Sequence, residues 1–442
     1  MNLTGTPFFV LTIVLFVGSL ALAMAQWRGR GVFGRLPGTQ HPQPSAESGT
    51  PTADSGPQAA EQGAPNPDQG EPATQQGAPG AGRPVPAARP WRGPLRALSY
   101  FGTILLCQFT AVTLVFVVVN NENQLYDSWG DLLGTSNHVR AVPVPPKDEG
   151  LAGDRAAASA GASAGAAATS APKVPQAFHT PDSDAVPRSV KQADLKGKLS
   201  GVDGEVLVWT PPQYDDPAYK DKTFPVVELL VGYPGSSSAW FGETMDATKQ
   251  LEPLMKSGQV TPFILVSPRV TLLGQTDTGC ADVPGKVNAD TWLSRDVPQM
   301  VMDNFRADTT ADRWALSGYS AGAHCATRLA LSHPNRYRAA VSMSGYNDPA
   351  GEPVSLTAKD PKLRETANPL YILTHAPTPP NVALYVTGKR GDGLEDATAL
   401  QQAAKSPTSI TPVETTGAHL TSTWKPLVVP TFKWLTGIIP AR

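Results

Sequence analysis

The sequence predicts an α/β domain with a mainly parallel sheet flanked by helices, preceded by two transmembrane helices and disordered linkers. Two uncharged apolar stretches occur before residue 120, and Pro- and Gly-rich segments surround them. From about residue 187 onward, short apolar runs alternate with segments of helical period, which is typical of a parallel sheet covered by helices on both faces.

The two apolar stretches are Pro7 to Ala25 and Leu98 to Val119. Each is close to the roughly 20 residues that cross a bilayer as a helix. We therefore assign residues 1–26 and 98–119 to transmembrane helices. A cleavable signal peptide ending at Ala25 is the alternative for the first stretch, although the basic residues that usually precede such a peptide are missing.

The distribution of arginine predicts the orientation in the membrane. Seven arginines lie between the two apolar stretches, whereas residues 120–134 contain acids but no Lys or Arg. Positive charge favours the cytoplasmic side. Residues 27–97 are therefore expected to form a cytoplasmic loop, and everything after residue 119 is expected to be extracytoplasmic. The Pro- and Gly-rich composition of the loop predicts disorder.

Residues 120–186 are interpreted as an extracytoplasmic segment with an Ala/Gly/Ser-rich linker, which would act as a tether that holds the following domain off the membrane. Residues 187–442 are assigned to one α/β domain, with helical candidates at Asp296 to Phe305 and Ala321 to Ser332. The strand candidates are EVLVW, PVVELLV, FILVS, RWALS, AAVSMS, VALYVT and SITPVE.

Composition excludes several classes of function. A net charge of −2 gives no reason to expect a nucleic-acid partner. Three cysteines are too few for a disulfide-built scaffold or a Cys-rich zinc site. No metal site and no organic cofactor are predicted.

The motif GYSAG, Gly318 to Gly322, follows the strand candidate RWALS and precedes an Ala-rich helix. A G-x-S-x-G motif places serine where a strand turns sharply into a helix, so Ser320 is the candidate nucleophile. The helix N-terminus at this serine favours developing negative charge. The alternative is that Ser320 has no catalytic role and is one more small residue in an Ala-rich chain.

A serine hydroxyl needs a base, and His419 is the candidate. In α/β-hydrolases the chain order is serine, then acid, then histidine. Only His375 and His419 come late enough, and only His419 leaves a strand and a loop before it for the acid. His324 and His333 lie on or at the end of the helix after Ser320, where packing and capping are the simpler roles.

The acid is expected in the loop GKRGDGLED, after the strand candidate VALYVT. Asp392 lies between glycines on a tight loop and is the first choice. Glu395 is the runner-up, because acids in the first turn of a helix also favour the helix dipole without any catalytic role. A solvated turn without catalytic function is the alternative for the whole loop.

An oxyanion hole needs two backbone N–H donors. Ala321 follows the nucleophile, and Tyr233 lies in the loop GYPGSSSAW after the strand candidate PVVELLV. Pro234 has no N–H and cannot donate. An ordinary glycine-rich turn is the alternative for this loop.

Cys280 and Cys325 can oxidise if the domain is extracytoplasmic. Cys325 lies five residues after Ser320, so a bridge to Cys280 would hold the loop TDTGCADVPG over the site. Two buried free thiols are the alternative, and Cys107 is expected to pack within the membrane.

Four segments carry a resemblance to a known family. They are VELLVGYPGSSSAW, TWLSRDVPQMVMDNFRAD, WALSGYSAGAHCATRLALSHPNRYRAAVSMSGY and GAHLTSTWKPLVVPTFKWL. The region from Val206 to Leu435 resembles the esterase D-like family of α/β-hydrolases, which includes feruloyl esterases and mycolyltransferases of the antigen 85 type. Ala323 departs from the family pattern, which often has a second glycine there.

The resemblance implies a nucleophile at Ser320, a base at His419 and oxyanion donors at Tyr233 and Ala321, whereas the acid does not align cleanly. We expect a membrane-anchored, multi-pass, extracytoplasmic serine esterase or acyltransferase. Its substrate would be a small-molecule, lipid or cell-envelope carboxylic ester. An inactive hydrolase-fold binding module at the cell surface and a serine peptidase are the alternatives.

Overall fold

The computed structural model describes residues 3–28, 93–144 and 173–442. His41, most of the predicted cytoplasmic loop and the Ala-rich centre of the predicted linker lie outside these ranges. The chain forms two compact units, one made of Met1–Phe16 with Thr110–Arg442 and the other of Val17–Phe109.

An eight-stranded sheet forms the centre of the larger unit, in the order β1-β2-β4-β3-β5-β6-β7-β8. Strand β2 is antiparallel to both neighbours, and every other adjacent pair is parallel. The prediction of a mainly parallel sheet is confirmed, and the fold is that of an α/β-hydrolase. The strands are β1 Lys191–Lys196, β2 Asp203–Trp209, β3 Val226–Leu230, β4 Ile264–Pro268, β5 Trp314–Tyr319, β6 Ala339–Met343, β7 Ala383–Gly388 and β8 Ser409–Glu414.

The seven predicted apolar runs correspond to β2 through β8. All residues of β3, β4, β5 and β6 are buried, because helices cover both faces of the sheet. Strand β1, with the sequence KQADLK, was not predicted. It is an edge strand with alternating burial in its second half, and its charged residues face solvent.

Helices alternate with the parallel strands, as the sequence predicts. A short antiparallel ribbon, Asp282–Val283 with Val287–Asn288, precedes a helical stretch that includes a π-helical turn at Trp292–Asp296. The α-helices are α1 Thr6–Trp27, α2 Gly93–Asn123, α3 Trp129–Leu132, α4 Ala247–Lys256, α5 Ala289–Thr291, α6 Val297–Asn304, α7 Ala321–Ser332, α8 Leu356–Lys359, α9 Pro361–Thr366, α10 Pro369–His375, α11 Leu394–Ala403, α12 Thr421–Trp424 and α13 Val428–Ile438.

Helices α1 and α2 contain the two apolar stretches. By length and composition, Thr6–Trp27 and Ala97–Asn123 could each cross a membrane. Most of their large apolar side chains are exposed, including Val14, Phe101 and Val112. Exposure of this kind is unfavourable in water and is expected for lipid-facing helices.

The chain after α2 contacts the α/β domain over a longer stretch than its polar sequence suggests. The backbone N–H of His138 donates to Leu272 O at 3.1 Å. Asn288 Nδ2 donates to Pro143 O at 2.9 Å. Beyond the gap in the described residues, the N–H of Val174 donates to Asp303 Oδ2 at 3.2 Å.

Glu228 on β3 places a carboxyl group in the core of the sheet, where it is fully buried. Its Oε2 accepts a hydrogen bond from the Tyr337 hydroxyl at 3.0 Å. Burial raises the pKa of Glu228 to about 8, although the Tyr337 hydrogen bond and the Arg336 charge act in the opposite direction. Glu228 is therefore protonated in the folded protein at neutral pH.

We expect Glu228→Gln to remove a pH dependence of stability. Because the folded pKa is raised, the unfolded chain releases this proton above about pH 4.5 while the folded chain keeps it until about pH 8. This group therefore lowers the free energy of unfolding as pH rises, by up to about 1.4 kcal/mol per pH unit.

The measurement is the melting temperature of the full-length chain in detergent from pH 5 to pH 8. The difference between Glu228→Gln and wild type should grow in favour of the variant as pH rises. The control is Glu414→Gln, which changes an exposed residue of β8. A difference that is constant across the range would contradict the assignment.

Candidate active site

Ser320 lies at the turn between β5 and α7, with φ 55° and ψ −126°. A positive φ is unfavourable for a residue with a Cβ atom and is found where surrounding structure enforces it. The N–H of Ser320 donates to Met343 O at 2.9 Å, which ties the turn to the end of β6. The geometry is that of a strained strand-to-helix turn with an accessible serine hydroxyl.

The two glycines of the motif allow this turn to pack. A Cβ at Gly318 would lie 2.1 Å from Gly322 O, and a Cβ at Gly322 would lie 2.4 Å from Leu230 O. Neither distance is possible for a real side chain. Helix α7 can therefore begin directly against the end of β3 only because both positions are glycine.

The imidazole of His419 lies between the serine and a carboxylate. Its Nε2 is 2.8 Å from Ser320 Oγ, and its Nδ1 is 2.8 Å from Asp392 Oδ1. These three residues follow β5, β8 and β7 at the carboxyl edge of the sheet, where open α/β sheets bind ligands. The arrangement allows the imidazole to take a proton from the hydroxyl while the carboxylate fixes its tautomer.

The structure distinguishes the two predicted acids by their contacts. Asp392 faces His419, whereas the Glu395 carboxylate accepts from the Gly391 N–H at 3.0 and 3.2 Å. Glu395 therefore stabilises the loop in which Asp392 lies. Asp396, next to it, accepts from the Asn347 N–H at 2.9 Å and also has a structural contact.

An aromatic residue that the sequence analysis did not select packs against the imidazole. The rings of Trp424 and His419 meet edge to face, with centroids 4.7 Å apart. Trp424 also stacks on Tyr319, and its indole N–H donates to Ser344 Oγ at 3.0 Å. The segment TSTW two residues after His419 was the available signal, because a tryptophan so close in sequence can reach the ring.

The two predicted oxyanion donors lie beside the serine. Ala321 is the first residue of α7, so its N–H has no intrahelical acceptor. A Cβ added to Gly232 would lie 3.1 Å from Ser320 Cβ, which places the loop that contains Tyr233 directly against Ser320. Within the described residues, no hydrogen bond occupies the N–H of Tyr233 or Ala321.

The remaining described histidines have other partners. His324 is buried on α7, where burial lowers its pKa to about 4 and its Nδ1 lies 2.8 Å from Tyr346 O. His333 Nε2 lies 2.6 Å from Asp290 Oδ1. His375 is exposed, with its Nδ1 3.0 Å from Tyr371 O. His138 and His179 belong to the segment 120–186, which was predicted to contain a linker, but both pair through the backbone with the α/β domain.

Cys280 and Cys325 form a disulfide that joins the loop before α5 to α7. Arg328, one turn after Cys325, donates to Cys280 O at 2.9 Å and to Asp290 Oδ2 at 2.7 Å. Burial and the carboxylate of Asp277 in the same loop raise the pKa of the Tyr233 phenol to about 12.

The site opens into a pocket of about 250 Å³ next to Ser320 and His419. Val119, Asn123 and Leu125, from the end of α2 and the residue pair after it, line one part of its wall. Among the described residues, no group of three or more His, Cys, Asp or Glu side chains could hold a metal ion.

Comparison with known proteins identifies the family. A family model described as "Putative esterase" matches residues 200–426, just over half of the chain. The chain belongs to this esterase family. The family resemblance read from the sequence is confirmed.

Individual relatives are more distant. The chain is 29% identical over 153 residues to an uncharacterized protein of Corynebacterium glutamicum, and the match covers 34% of each chain. A ferulic acid esterase superimposes with a TM-score of 0.47 at 20% identity, covering 56% of this chain and 97% of the other. MPT51 of Mycobacterium tuberculosis superimposes with a TM-score of 0.40 at 17% identity, covering 54% and 94%.

Proposed function

We propose that this esterase is a serine hydrolase or acyltransferase that acts through Ser320, His419 and Asp392. The observation that carries the proposal is the continuous pair of 2.8 Å contacts from Ser320 Oγ to the imidazole and from the imidazole to the carboxylate. A hydroxyl, an imidazole and a carboxylate in this order form the arrangement that activates serine for attack on a carbonyl.

In the first step Ser320 Oγ attacks the ester carbonyl, and His419 Nε2 accepts the hydroxyl proton. The tetrahedral oxyanion is stabilised by the N–H groups of Tyr233 and Ala321. The ester C–O bond then breaks, and the leaving alcohol takes the proton from His419. The product of this step is an acyl ester on Ser320 and a free alcohol.

The second step repeats the chemistry with a new nucleophile. Water gives a carboxylic acid and an esterase, whereas an alcohol gives a new ester and an acyltransferase. In both cases His419 removes the proton from the nucleophile and returns it to Ser320 Oγ. Asp392 keeps the imidazole in the tautomer that both steps need, because its carboxylate accepts from Nδ1–H.

We further infer that the chain is anchored in the cell membrane by two helices, with the catalytic domain on the extracytoplasmic side. The seven arginines between the helices support a cytoplasmic location for the intervening loop. The disulfide between Cys280 and Cys325 supports an oxidising compartment for the domain.

A fluorophosphonate probe tests the nucleophile. We expect the full-length chain in detergent to be labelled and Ser320→Ala to be unlabelled, because the probe phosphonylates only an activated hydroxyl. Ser317→Ala, on the preceding strand, is the matched control and should label like wild type. Failure of the wild-type chain to label would favour the inactive binding module over the enzyme.

The two acids of the loop after β7 provide a matched pair. Asp392→Asn should lower kcat by about 10⁴-fold, because the amide favours the wrong imidazole tautomer. Glu395→Gln should change kcat by less than about threefold, since its carboxylate accepts from the Gly391 N–H and not from His419. The measurement is hydrolysis of a p-nitrophenyl ester beside a peptide anilide. Equal losses in the two variants would contradict the assignment, and faster anilide cleavage would favour a peptidase.

The oxidation state of the cysteines tests the extracytoplasmic location. Cells are lysed in denaturant with a polyethylene glycol maleimide, with and without prior reduction. We expect one adduct without reduction, from Cys107, and three after reduction, because the other two thiols are paired. The control variant Cys107→Ser should give no adduct without reduction and two adducts after reduction. Three adducts without reduction would contradict an oxidising location.

A further inference from the structure

The wall of the catalytic pocket includes the end of α2, the second helix that could span a membrane. Val119 and Asn123 of this helix line the same pocket as Ser320 and His419. Leu125 follows the helix and lines the pocket as well. An apolar helix beside Ser320 affects which substrates can reach the serine hydroxyl.

The end of α2 is hydrogen-bonded to two loops that line the pocket. Thr421 Oγ1, two residues after His419, donates to Asn123 Oδ1 at 2.8 Å. The Ser236 N–H, in the predicted oxyanion loop, donates to Gln124 O at 3.0 Å. Thr244 Oγ1 donates to Glu122 O at 2.8 Å. The helix end is therefore a fixed part of the site.

The exit of the chain from α2 is equally well defined. Gln124 has φ 47°, which turns the chain out of the helix. The Asn120 side chain is buried, and its amide donates to Tyr126 O and accepts from the Tyr126 N–H, both at 3.0 Å. Both directions of hydrogen bonding in this pair are satisfied, so the turn has one preferred conformation.

The pocket lies where the helix changes from apolar to polar. The uncharged apolar run ends at Val119, and Asn120, Asn121 and Glu122 follow. Val112, Val115 and Val119 are 70%, 62% and 43% exposed and, at spacings of three and four residues, share one face of the helix. This exposed face leads from the part of the helix expected in the bilayer to the pocket, where Leu420 is 53% exposed.

We propose that α2 forms part of the acyl-binding site and that the substrate is an acyl ester of a bilayer lipid, whose chain enters the pocket laterally along the Val112, Val115 and Val119 face. This proposal rests on the proposed serine esterase and its membrane anchor. The scissile ester lies at Ser320, near the polar headgroups, while the acyl chain remains against the helix. The lipid therefore need not leave the bilayer to react.

The test uses the full-length chain reconstituted in phosphatidylcholine vesicles. The substrates are 4-methylumbelliferyl palmitate, dissolved in the bilayer, and soluble 4-methylumbelliferyl acetate, which has the same leaving group. The variant is Val119→Trp, which fills the lateral entrance. The control is Val118→Trp, at the same depth but on another side of the helix and outside the pocket lining.

We expect Val119→Trp to lower the palmitate-to-acetate ratio of kcat/KM by tenfold or more, and Val118→Trp to keep the wild-type ratio. Equal ratios in the two variants would overturn the proposal while leaving the esterase intact. If the wild-type chain hydrolyses neither ester and resists fluorophosphonate, the proposed function fails, and the inference fails with it.

Fluorophosphonate labelling of Val119→Trp shows whether its site is folded. If the variant is not labelled, Val119→Ala decides the matter, because it removes only two methyl groups from the acyl contact. It should raise the KM for palmitate by about threefold relative to that for acetate. An unchanged KM ratio in this variant would contradict the proposal.

Discussion

The positive φ of Ser320 is the constraint on which the site depends. A serine at 55° costs free energy of order 1–3 kcal/mol, and the packed turn must supply it. Gly318 and Gly322 make that packing possible, because any Cβ at either position would collide with backbone oxygen. The hydroxyl is therefore directed out of the sheet by the backbone itself and does not depend on a rotamer choice alone.

Sheet register brings the other two groups to this hydroxyl. Adjacent parallel strands from β5 to β8 end at the same edge, so the loops after β7 and β8 begin next to one another. Asp392 and His419 come from those two loops. Trp424 packs edge to face against the imidazole. It also stacks on Tyr319, the residue immediately before the serine. The imidazole of His419 and the turn that contains Ser320 therefore belong to one packed cluster.

Much of this arrangement could be read from the sequence, because apolar runs and glycine placement are local signals. The strands β2 to β8 and the turn at Ser320 were visible in that way. Strand β1 was not, since an exposed edge strand lacks an apolar run. The choice between Asp392 and Glu395 depends on which carboxylate contacts His419. His419 lies 27 residues after Asp392, and no local sequence pattern encodes that contact.

The segment between α2 and residue 144 is the least predictable part of the structure, because polar side-chain contacts hold it against the domain. Arg269 Nη1 lies 3.2 Å from Asp131 Oδ1, and Arg269 Nε lies 2.5 Å from Glu205 Oε2. All three side chains are largely buried. Burial raises the pKa of the neighbouring Asp127 to about 6, and this carboxylate accepts from the Ser236 hydroxyl. Desolvation offsets much of the attraction in such clusters, so their effect is to define one docking geometry more than to add stability.

These contacts bear on the predicted tether role of the Ala-rich linker. A linker can act as a tether between a domain and a helix only if it alone sets the distance between the domain and that helix. Here the chain contacts the domain before the linker, at Pro143, and after it, at Val174. A linker with both ends on the same domain cannot set the height of that domain above a bilayer. The end of α2 is hydrogen-bonded to the loops beside Ser320 and His419, so the position of these two residues relative to Asn123 follows from short-range contacts and not from chain length.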